Sequence, residues 1–102
     1  MSTVKVEVLE NYVKDTILNI VDKPDSVTVT GVLTTKAIII QIDVDKFDRG
    51  KVIGKKGRII DSLRTIVLAI KSSLFPNDIR RISLELIEDE ESGFNFKKEG
   101  DI

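Results

Sequence analysis

The chain has 102 residues, 41% hydrophobic and 32% charged, with a formal net charge of −1. That is the make-up of one globular domain with a single modest core. It contains no cysteine and no histidine, which excludes a disulfide framework, a zinc knuckle, a thiol nucleophile and the usual general base near neutral pH. No apolar run approaches the ~20 residues of a membrane span and the N-terminus lacks a signal-peptide pattern, so a cytoplasmic location is expected.

From Leu9 the apolar positions Leu9, Tyr12, Val13, Ile17, Ile20 and Val21 recur at helical spacing, and Asp22-Lys23-Pro24-Asp25 stops the helix. Ahead of it Val4, Val6 and Val8 alternate, which fits an extended or frayed start. Two β-branched segments follow, Ser26 to Leu33 and Ala37 to Val44, joined by Thr34-Thr35-Lys36 as an antiparallel hairpin. The unbroken Ala37-Ile38-Ile39-Ile40 suggests a strand covered on both faces. Asp48 then suits the N-cap of a very short helix through Ile53. After Gly57 the positions Ile59, Ile60, Leu63, Ile66, Val67, Ile70 and Leu74 keep helical period up to Phe75-Pro76-Asn77, and Ile79, Ile82, Leu84 and Leu86 read as a third strand. Residues 1–87 form the expected domain. Residues 88–102 read as an acidic tail in which Phe94 and Phe96 are the apolar exceptions.

The charge is unevenly spread. Residues 46–87 carry ten Lys/Arg against four Asp/Glu, a local balance of +6 between acidic flanks of −3 and −4. Within it, "GKVIGKKGRII" spans residues 50 to 60. It is no P-loop, because Gly50 and Gly54 are separated by three residues and Lys55 is followed by Lys56 rather than Ser or Thr. A dinucleotide fingerprint fails too, since position 52 is valine. What remains is G-x-x-G between two helices, a pattern that suits a polyanion. Glycines admit positive φ and let a phosphate approach the backbone, and a helix N-terminus near Arg58 favours an anion. Lys55 and Lys56 add charge there, with Lys46, Arg49, Lys51, Arg58 and Arg64 around them.

"VIGKKGRII" resembles the signature Val-Ile-Gly-x-x-Gly-x-x-Ile of K-homology (KH) domains, at Val52, Ile53, Gly54, Gly57 and Ile60. The element order resembles the bacterial, type II-like arrangement α-β-β-α-α-β, and residues 6–87 are similar to the small single-KH proteins of the KhpA (YlqC-like) family. The expected fold class is therefore α+β, with three helices covering one face of a three-stranded sheet. The resemblance implies a clamp on single-stranded RNA. In it Gly54 and Gly57 admit the backbone, Lys55 and Lys56 face phosphates, and Lys51, Arg49 and Arg58 flank them. It also implies a groove between the helix bearing Ile53 and the second strand, with Ile53, Ile60, Ile40 and Ile42 as candidates for its floor. Core packing explains the same isoleucines, and periodicity does not separate the two. A homodimer, a KhpB-type partner and an RNA-chaperone role linked to cell elongation and peptidoglycan homeostasis are further implications; no cofactor and no enzymatic activity are expected. The alternative is a KH scaffold kept for dimerisation or docking, for which apolar positions around Val52 and Ile53 would be exposed. A carboxylate site at Asp43, Asp45 and Asp48 is the weakest reading, since solvated turn aspartates explain it more simply.

Overall fold

The computed structural model describes residues 6–88, so the expectations for Val4 and for the tail beyond Glu88 lie outside the described residues. Its elements are α1 (Val6–Leu18), β1 (Thr28–Leu33), β2 (Ala37–Asp43), α2 (Arg49–Ile53), α3 (Arg58–Leu74) and β3 (Arg81–Leu86). The predicted order α-β-β-α-α-β and the class α+β both hold. Val6 and Val8 belong to the helix rather than to an extended start, and α1 ends at Leu18, a turn before Val21.

The sheet order is β1-β2-β3. β1 and β2 run antiparallel from Thr28 opposite Asp43 to Leu33 opposite Ile38. Their turn is closed by Thr34, whose Oγ1 accepts the N–H groups of Lys36 and Ala37. β2 and β3 run parallel, from Ala37 opposite Arg81 to Ile42 opposite Leu86. Parallel neighbours need a crossover. Here that crossover is α2, the glycine loop and α3.

Alternation along β2 sends Ile38, Ile40 and Ile42 into the core at 0% exposure, beside Leu9, Val13 and Ile17 of α1, Val52 of α2, Leu63 and Val67 of α3, and Leu84 of β3. Each such burial stabilises by roughly 1.5–3 kcal/mol. Ile39 on the other face is only half-buried. The apolar run in β2 is therefore covered on one face, not both. α1 comes so close to β1 that a Cβ on Gly31 would stand 2.5 Å from Cγ2 of Val6. The Glu10 carboxylate accepts the Gly31 N–H at 2.5 Å, satisfying one backbone donor of that sheet edge.

The third strand starts later than expected. Asp78 accepts the Arg80 N–H at 2.9 Å in a local turn, and the buried Lys71 ammonium takes the carbonyls of Asp78 and Arg80. With 78 and 80 drawn inward, Ile79 points out and is 92% exposed.

Candidate nucleic-acid interface

Val52, in the middle of α2, is fully buried and anchors the helix, which corrects the expectation that it lies on an exposed apolar patch. Ile53, the next residue, is 37% exposed. α2 then stops because Gly54 takes φ 81° and ψ 172°, dihedrals that only glycine adopts without strain. A Cβ there would also lie 2.3 Å from Cγ1 of Ile59 and 2.9 Å from its backbone nitrogen. Residues 55–57 make a single tight turn, with the Gly57 N–H bonded to the Gly54 carbonyl at 3.1 Å.

Lys56 and Gly57 are both left-handed, at φ 57° and φ 76°. A left-handed lysine is uncommon and costs about 1 kcal/mol or more, a kind of strain that collects at functional sites. Its result is that Lys55, Lys56 and Arg58 all stand exposed on one loop and the turn that follows. Gly57 is the N-cap of α3 and supplies no side-chain cap to that 17-residue helix. The positive end of its dipole is thus open beside the lysines. The acidic residue of the first turn, Asp61, is held by Arg64 at 2.7 Å.

The remaining predicted residues are placed as follows. Arg49 is half-buried, and Ile60 is half-buried against the core. Lys51 reaches Asp22 at 3.0 Å, an exposed pair of small energetic value. Ile40 and Ile42 cannot line a groove, because both are at 0% exposure. β2 is moreover the central strand, with partners on both sides, so its backbone is not open to a base edge. The edge strands are β1, against which α1 packs, and β3.

Two residues were misjudged or overlooked from sequence. Asp48 occupies the N-cap position of α2 yet makes no cap bond. It is 1% exposed, and its two carboxylate oxygens accept the N–H groups of Asp22 and Lys23, both at 3.0 Å. It is neither a helix cap nor a solvated turn aspartate but a tether between α2 and the α1–β1 connection. Phe47 is the second: the residue is 76% exposed, with the Lys46 ammonium 5.5 Å from its ring centroid. The local signal for it was an aromatic between two aspartates immediately before the helix.

Comparison with known proteins gives this geometry a family. The KH domain of KhpA/KhpB matches residues 7–86. The chain is 40% identical over 80 residues to the RNA-binding protein KhpA of Aquifex aeolicus, covering 78% of this chain and 96% of that protein. Identity is 37% over 81 residues with the KhpA of Chlamydia caviae (79% and 99% covered) and 38% over 80 residues with that of Listeria monocytogenes (78% and 100%). With the α-β-β-α-α-β order and the glycine loop between two helices, the chain belongs to the KhpA/KhpB family of KH domains.

Proposed function

We propose that the protein binds single-stranded RNA, clamping its sugar-phosphate backbone with the loop Gly54-Lys55-Lys56-Gly57. The observation that carries this reading is the loop's backbone: positive φ at Gly54, Lys56 and Gly57, with two exposed lysines at a helix N-terminus that has no side-chain cap. Gly54 and Gly57 admit a phosphate, Lys55 and Lys56 neutralise it, and Arg58, Arg49 and Lys51 extend the positive field. Ile53 and Ile60 form the apolar side of the adjoining groove, and the edge strand β3, rather than the central β2, offers backbone groups to base edges. The protein acts as a binding module and not as an enzyme.

Two copies associate through α3. Its outward face carries Ile66, Ala69, Ile70 and Leu74 with Thr65 and Ser73, and no charge. The matching family spans KhpA and KhpB domains, so a KhpB-type chain suits the same face. RNA chaperoning in control of cell elongation and peptidoglycan homeostasis is the setting that the family resemblance implies for this activity.

The test is Lys55→Asp with Lys56→Asp. Mobility shift on pooled cellular RNA should be abolished, with the far-ultraviolet spectrum and self-association unchanged; unchanged binding would sink the clamp. With about three phosphates neutralised, log affinity should fall against log salt with a slope of about −2.

A further inference from the structure

We propose that Phe47 is a stacking platform for a nucleobase of the bound RNA, an inference that rests on the clamp reading above. A single exposed apolar side chain is ordinary on a protein surface. Three features set this one apart.

The first is a fixed backbone. Asp45 caps the turn 46–48 by accepting the Phe47 N–H at 2.9 Å, and the next residue is the buried tether Asp48. The ring therefore projects from a rigid turn that runs directly into α2, and ordering it for a ligand costs little entropy. The second is its companion charge. The Lys46 ammonium lies over the ring, 5.5 Å from its centroid, a cation–π contact on one face that sets a positive charge beside the platform. With the residue 76% exposed, the ring keeps ample surface for a base.

The third is proximity to the clamp. The turn bearing Phe47 runs directly into the five-residue α2, whose other end is Gly54, so the ring and the loop flank one short helix of roughly 7.5 Å. Between them lies Gly50, where an added Cβ would meet nothing within 4 Å. One short helix thus separates an aromatic ring from a phosphate clamp, within the span of the roughly four nucleotides such a domain grips. Phe47 makes no contribution to the core cluster. A flat π-surface beside a positive backbone track is the chemistry by which single strands are held without sequence choice.

The experiment compares wild type, Phe47→Ala and Phe47→Trp against two probes: an oligoadenylate decamer and an abasic deoxyribose-phosphate decamer of equal charge. The chain has no tryptophan, so the Trp variant carries a single reporter. Phe47→Ala should lose about tenfold in affinity for oligoadenylate and nothing for the abasic strand, with melting temperature and salt slope unchanged. Phe47→Trp should keep oligoadenylate affinity, and its emission should be quenched by oligoadenylate but not by saturating abasic strand. If wild type binds RNA and Phe47→Ala binds it equally well, the platform is overturned while the clamp stands. Wild type that binds neither probe overturns both readings. A Phe47→Ala effect confined to self-association makes the ring a protein contact and overturns the platform.

Discussion

At Gly54 an added methyl group meets Ile59 both in its side chain and in its backbone, and the dihedrals themselves exclude other residues. Gly57 differs. Its φ is also positive, but an added Cβ finds only an Asp61 carboxylate oxygen at 3.9 Å. Gly54→Ala should therefore cost about 3 kcal/mol or more, combining strain and overpacking. Gly57→Ala should cost about 1 kcal/mol, the left-handed penalty alone. Denaturant unfolding of the two variants checks this, and equal costs would mean that the loop relaxes around either methyl group. The glycine spacing was legible in the sequence because few loops need G-x-x-G between helices. The left-handed Lys56 was not, since nothing local to a lysine announces positive φ.

Among the elements, helices and strands followed from hydrophobic period, and the chain order from their lengths. Ile40 and Ile42 show where period stops informing: groove floor and core call for the same side chain. The place of β2 at the centre of the sheet, a long-range fact, decided between them. Asp48 shows the same limit, because the capping rule found its position while its partners lie 25 and 26 residues upstream. Those two bonds join α2 to the α1–β1 connection. Asp48→Ala leaves two partly buried N–H groups without their acceptor and should cost about 3 kcal/mol. Asp48→Asn, which keeps one accepting oxygen, should cost about half as much. Urea denaturation reads both, and a neutral Asp48→Ala would show that water replaces the tether.

For the whole molecule, charge and apolar surface are segregated along α3. Its N-terminus carries the lysine loop, while its uncharged outward face runs on to Leu74. The loop proposed to clamp RNA and the face proposed for a second copy therefore do not overlap. Ala69→Glu places a charge in the middle of the uncharged face and should convert a dimer to a monomer without changing the fold, as read by sedimentation. A monomeric wild type would remove α3 as a dimer interface. The crossover between β2 and β3 has a further consequence, which concerns the order of folding events. The β1–β2 hairpin pairs strands that adjoin in sequence, whereas β3 can align with β2 only after the intervening segment, from Val44 to Arg80, has closed on itself. The glycine loop sits within that segment and reverses its direction. Its left-handed turn thus lies on the segment that must close before β3 pairs with β2, and the loop proposed to clamp RNA is also part of how the sheet is completed.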